Sequence, residues 1–173
     1  SNLVLRAENN FITGEFGGNG PGILAENDTR LRALNNEITY LEGGAVLRGY
    51  TYNSLVKDNV IFEADTGIVA QDQVQPDTGA TVDEAAGIEI TGNQIDESLG
   101  GIAAVDGVYS ITGNEIENTF AGILVGPVES DLNNQQSGSG LSVQAEVNGN
   151  SLTDYSLGVV STNDGVPGSL DLT

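Results

Sequence analysis

Apolar residues recur along this chain in short alternating runs, and the runs themselves repeat. The strings ENNFI (8–12), LNNEI (34–38), KDNVI (57–61), TGNQI (91–95), TGNEI (112–116) and NGNSL (148–152) share one frame. Its fixed point is an asparagine: Asn10, Asn36, Asn59, Asn93, Asn114 and Asn150. Two residues later stands a large aliphatic in every case: Ile12, Ile38, Ile61, Ile95, Ile116 and Leu152. Three residues before it stands Ala7, Ala33, Val56, Ile90, Ile111 or Val147, all apolar. Between the asparagine and its aliphatic partner the side chains are mostly polar: Phe11, Glu37, Val60, Gln94, Glu115 and Ser151. Alternation of this kind is the period of a β-strand, whose successive side chains point to opposite faces.

A second landmark follows eight residues after five of the asparagines, at Gly44, Gly67, Gly101, Gly122 and Gly158. In the first repeat Gly18 holds that offset, but the Gly-Ile pair arrives four residues late, at Gly22 and Ile23. The residue after each glycine is apolar (Ile23, Ala45, Ile68, Ile102, Ile123, Val159). So is the third in five of six cases (Ala25, Leu47, Ala70, Ala104, Val125, then Ser161). These glycines are expected at a turn, supplying backbone angles that a Cβ would forbid.

Self-similarity at such a period predicts a solenoid. The base coil of 21–23 residues holds three short strands and three turns, too few for a crossover with a full helix. The prediction is an all-β chain: a single-stranded right-handed parallel β-helix of about six coils, one domain over 1–173. Stacked asparagines at one corner would hand amide hydrogen bonds from rung to rung. Two longer steps mark insertions at about 71–86 (QDQVQPDTGATVDEAA) and about 126–140 (GPVESDLNNQQSGSG), both leaving the coil after the Gly-Ile strand. Loops there suit function and passive surface equally.

The frame x-I-x-G-N-x-I followed by Gly-Ile, seen at Ile90–Ile95 and Ile111–Ile116, resembles the parallel β-helix repeat of the pectate-lyase-like superfamily. The resemblance covers roughly residues 3–165 and implies the fold. That group holds polysaccharide lyases, polygalacturonases, epimerases, viral tailspikes and surface proteins of no known activity. A ladder of scaffold residues implies no chemistry. The hydrolases' Asn-Thr-Asp, Gly-His-Gly and Arg-Ile-Lys strings do not occur here. The lyases' basic proton abstractor has no counterpart after Lys57, and histidine is absent throughout. The enzyme reading is therefore the lesser one, with no catalytic residue assigned.

Charge adds direction. The net charge is −20, but all five basic residues (Arg6, Arg30, Arg32, Arg48, Lys57) lie in the first 57 positions beside six acids. Residues 58–173 hold the other nineteen acids and no base. Such a surface is expected to repel nucleic acid and anionic polysaccharide and to attract cations or a basic partner; it also fits a secreted protein of a salty habitat, or simple solubility. Asp96 and Glu117, each three residues after its asparagine, are expected on adjacent rungs about 4.8 Å apart. They are candidate Ca²⁺ ligands, a conceivable carboxylate pair, or plain solvated surface.

Two outward columns suggest assembly. Two residues after each glycine stand Leu24, Val46, Val69, Ala103, Leu124 and Val160, an apolar stripe of a kind monomers seldom expose. It is expected to be covered by the insertions, to be a contact face between chains, or to form a ligand groove. Four residues before each asparagine stand Arg6, Arg32, Leu55, Glu89, Ser110 and Glu146, basic at one end and acidic at the other. Complementary ends favour head-to-tail stacking; a segment cut from a longer β-helix would show the same raw ends. Tyr40, Tyr50, Tyr52 and Phe62 are the one local concentration of aromatics, suited to packing or to carbohydrate recognition.

No run of 18 apolar residues is present, so membrane insertion is not expected, and there is no cysteine for disulfides. With no initiating Met and no signal peptide, a processed product or fragment is expected. The functional expectation is an extracellular structural or assembly β-helix (surface appendage, filament subunit or adhesin-like stalk) that associates with itself and is a candidate for binding Ca²⁺. The alternative is a polysaccharide-binding or polysaccharide-processing module, including a tailspike-like one on a virion surface.

Overall fold

The computed structural model describes residues 3–15, 20–27, 29–49, 51, 53–71, 87–105, 107–126 and 143–161, and the backbone of 169–172. The described chain is a parallel β-helix. Its strands form three sheets, of seven, six and six strands, and every pairing is parallel.

The first coil shows the plan: β1 (Leu3–Glu8), β2 (Phe11–Thr13) and β3 (Pro21–Glu26) each open one sheet. The first sheet continues through β4 (Thr29–Leu34), β7 (Leu55–Lys57), β10 (Ile88–Thr91), β13 (Gly107–Thr112), β16 (Val143–Asn148) and β19 (Ser169–Leu172). The second continues through β5 (Glu37–Thr39), β8 (Val60–Phe62), β11 (Gln94–Asp96), β14 (Glu115–Glu117) and β17 (Ser151–Thr153). The third continues through β6 (Gly43–Arg48), β9 (Thr66–Gln71), β12 (Gly100–Val105), β15 (Ala121–Gly126) and β18 (Leu157–Ser161).

Alternation decides what is inside. Ile38, Ile61, Ile95 and Ile116 are fully buried and stack in register, with Ile12 and Leu152 half-buried at the two ends of the column. Where β7 is cut to three residues, Ser54 replaces strand: the Leu31 N–H donates to its Oγ at 2.8 Å, and that Oγ bonds the Thr51 carbonyl. Buried Tyr109 keeps its hydroxyl within bonding reach of the Val105 (2.6 Å) and Ala70 (3.0 Å) carbonyls. Burying an aromatic thus leaves no polar group stranded.

The glycine column corrects an expectation. Gly44, Gly67, Gly101, Gly122 and Gly158 lie within strands, not turns, and none has a positive φ. Gly44, Gly67, Gly101 and Gly122 are small because the next coil comes close, and Gly158 because Tyr155 of its own coil does. A Cβ on Gly67 would meet Ile95 Cγ2 at 2.6 Å and the Gly101 carbonyl oxygen at 2.8 Å. Gly22, paired between Pro21↔Gly43 and Ile23↔Ala45, is the first coil's member, with Ile38 Cγ2 2.7 Å from where its Cβ would stand.

The true turn columns are elsewhere. Just before the asparagines, Asn9, Asn35, Asp58, Gly92, Gly113 and Gly149 all adopt positive φ, between 52° and 66°. Asparagine, aspartate and glycine are the residues that accept this conformation at low cost. At the corner between the second and third sheets the positive-φ residues are Tyr40, Glu63, Glu97, Asn118 and Asp154. The insertions begin at the last residues of β9 and β15, Gln71 and Gly126, and their bodies lie outside the described residues. The extra residues of the first coil do so as well.

Candidate functional site: two corners and two outward columns

The asparagine ladder is continuous. Asn10 Nδ2 donates to Asn36 Oδ1 at 2.9 Å, Asn36 to Asn59 at 2.8 Å, and Asn59 to Asn93 at 2.9 Å. Asn93 donates to Asn114 at 2.9 Å and Asn114 to Asn150 at 2.8 Å. From Asn36 onward each Oδ1 also takes a backbone N–H from the coil before it, as Asn93 Oδ1 does from Asn59 at 3.1 Å. Each following Nδ2 reaches back to a carbonyl of the preceding coil: Asn59 to Ala33 at 3.0 Å, Asn93 to Val56 at 3.0 Å. Asn36, Asn59, Asn93 and Asn114 are 1% exposed, so every bond replaces one that water could not supply. The amide-to-amide bonds all run one way, each Nδ2 donating to the Oδ1 of the next coil.

At the second corner, Asp96 and Glu117 are paired in register on adjacent rungs. The Asp96 carboxylate already has work there. Its Oδ1 accepts the Glu97 N–H and the Asn118 Nδ2, both at 2.8 Å. It ties the left-handed turn of its own coil to that of the next. Among the described residues no group of three or more His, Cys, Asp or Glu is arranged to hold a metal ion.

The same corner carries a cleft of about 410 Å³, lined by Glu63, Ala64, Asp65, Glu97, Ser98, Leu99, Asn118 and Phe120. Leu99 and Phe120 stand one coil apart, 67% and 61% exposed, with the Phe120 N–H bonded to the Leu99 carbonyl at 3.1 Å. Ser98 Oγ accepts the Ala64 N–H at 3.3 Å and closes the floor. One carboxylate oxygen, Glu63 Oε2, is shut away from solvent without a hydrogen-bond partner. Tyr40 holds its proton above the ordinary tyrosine range: the Glu63 hydrogen bond is the main cause, then the Glu63 charge, with partial desolvation and Glu97 adding. The apolar pair escaped the sequence reading. Its signal was the offset two before each strand glycine, where Glu42, Asp65, Leu99, Phe120 and Ser156 form one column.

Both outward columns exist in register. On the third sheet Leu24 faces Val46, then Val69, Ala103, Leu124 and Val160. Leu24 is 40% exposed, Val46 is buried, and the other four are half-buried. On the first sheet Arg6 pairs with Arg32, then Leu55, Glu89, Ser110 and Glu146, and the column runs on to Asp171 in β19. Arg6, Arg32, Glu89 and Glu146 are exposed. Among the described residues the salt bridge present is the exposed Lys57–Asp58 pair at 3.8 Å. Tyr40 and Phe62 are half-buried, while Tyr50 and Tyr52 lie outside the described residues.

Set against known proteins, the chain matches no family model, no curated protein and no solved structure.

Proposed function

We propose that the protein is an extracellular structural β-helix, related in repeat pattern to the pectate-lyase-like superfamily, that stacks head-to-tail with copies of itself. The observation carrying this reading is the first-sheet charge column, which starts with Arg6 and Arg32 and ends with Glu146 and, in backbone register, Asp171. Like charges on directly paired positions destabilise a sheet, so the Arg6–Arg32 pair at one end and the acidic positions at the other favour neighbours of opposite charge. Apolar side chains are also exposed at both ends of the described stack: Leu3, Val4 and Phe11 at one, Tyr155, Leu157 and Val159 at the other.

Exposed ion pairs contribute under about 1 kcal/mol each. Strand pairing and apolar contact would therefore hold the joint, and charge would set its direction. Lateral contact would use the third-sheet stripe around Leu124. The test is sedimentation and direct imaging of the purified chain across concentration. Arg6→Glu is expected to weaken end-to-end association at low salt, and Leu124→Asp to weaken lateral association. A monodisperse monomer at high concentration would defeat the reading.

A further inference from the structure

The corner cleft between the second and third sheets has features that the assembly reading does not use. Two large apolar side chains, Leu99 and Phe120, project from consecutive coils with most of their surface in water. Beside them stand Glu63, Asp65 and Glu97. Exposed apolar surface next to charge is the composition of a recognition site more than of a solvated turn. The half-buried Glu63 carboxylate already takes the Tyr40 hydrogen bond, and its Oε2 is shut away from solvent, so Asp65 and Glu97 are the acids open to a ligand. No Lys or Arg is among the residues that line the cleft. No Lys, Arg or His follows Lys57 in the sequence.

We infer that this corner docks a partner polypeptide through an arginine or lysine flanked by an apolar residue. The cation sits in the cleft against the exposed Asp65 and Glu97 carboxylates, with the charge of Glu63 behind them. The flanking side chain packs across Leu99 and Phe120. An arginine fits best, since its planar guanidinium carries several donors and stacks on an aromatic face. The surface is independent of end-to-end stacking, because it sits on the side of the helix in the third to fifth coils.

The experiment titrates the full chain with the capped tetrapeptide Arg-Leu-Arg-Phe and follows binding by calorimetry. Saturable one-to-one binding is expected. Phe120→Ser, at an exposed position that leaves the core intact, should weaken it roughly tenfold, as should Glu97→Gln with Asp65→Asn. Glu146→Gln, a distant exposed acid on the first sheet, should leave it unchanged. Binding that ignores Phe120→Ser and falls equally with Glu146→Gln would mean diffuse attraction to a polyanion, and would overturn the proposal. So would an uncharged oligosaccharide that displaces the peptide from the cleft, or no binding at all.

Discussion

At the scale of single residues, the asparagines show how a polar side chain becomes core. Asn93 accepts from the Asn59 backbone and side chain through one oxygen, and its amide serves Asn114 and the Val56 carbonyl. Asn93→Ala would strand both sets of partners in a space closed to water. At about 1–3 kcal/mol for each unsatisfied group, the loss should reach about 3 kcal/mol or more in urea unfolding. Asn150→Ala, at the partly open end of the ladder, should cost about 1 kcal/mol; equal losses would mean that the ladder is not what burial makes of it. Tyr40 provides a prediction in pH. Its folded pKa is raised, so the neutral phenol is the form the fold favours. That contribution is fully present below the ordinary tyrosine range and is lost as pH rises through Tyr40's own higher value. Ultraviolet titration of the phenols should show one late step, absent in Tyr40→Phe and moved to lower pH in Glu63→Gln. A Glu63→Gln profile identical to the parent would remove Glu63 as the cause. The ladder was legible in the sequence because a polar residue returning inside an apolar frame has few explanations. The work of Asp96 was not, since its second bond comes from Asn118 on another coil, and no spacing rule encodes that.

At the scale of strands and turns, glycine means close approach in one column and backbone freedom in another. A methyl group on Gly101 would run into the Gly122 carbonyl and lie 2.8 Å from Ile116 Cγ2, both part of the next coil. Neither can yield without moving a strand, so Gly101→Ala should lower stability by about 1–3 kcal/mol, the usual range for overpacking. Its neighbour Gly100 meets only Thr66, at 3.4 Å, and Gly100→Ala should stay within about 1 kcal/mol of the parent. Thermal melts of the pair decide it, and a tolerated Gly101→Ala would show that the coils have slack. The position of the glycine column was readable, but its reason was not. Sequence reveals that a Cβ is excluded without revealing whether φ or a neighbour excludes it. The turn column before the asparagines was also open to view, because Asn9, Asn35, Asp58, Gly92, Gly113 and Gly149 are all residues suited to positive φ. The opposite corner was hidden: Tyr40, Glu63 and Glu97 have no such preference, and the stacked coils impose their conformation.

At the scale of the whole molecule, a scaffold of stacked rungs turns a one-dimensional charge sequence into a one-dimensional charge gradient. The register that places Arg6 over Arg32 at one end places Glu146 beside Asp171 at the other, and most of the excess of nineteen acids after residue 57 is spread over the later coils. Such a surface repels itself, and each added coil of like charge subtracts from the stability that the isoleucine columns supply. Monovalent salt should therefore raise the melting temperature steadily as the screening length shortens from about 10 Å at 0.1 M. Calcium tests for something more. An ion held by the folded state alone stabilises by mass action, about 2.7 kcal/mol at one hundred times its dissociation constant. Asp96 and Glu117 are a carboxylate pair on adjacent rungs, but Asp96 is already engaged by two N–H donors, so a specific site would have to draw on Glu117 and other acids. The expected outcome is that calcium raises the melting temperature more than sodium at equal ionic strength, and that Glu117→Gln removes part of the excess. Identical curves for the two salts would reduce the acidic half to a screened surface. An excess untouched by Glu117→Gln would place the ion elsewhere on that half.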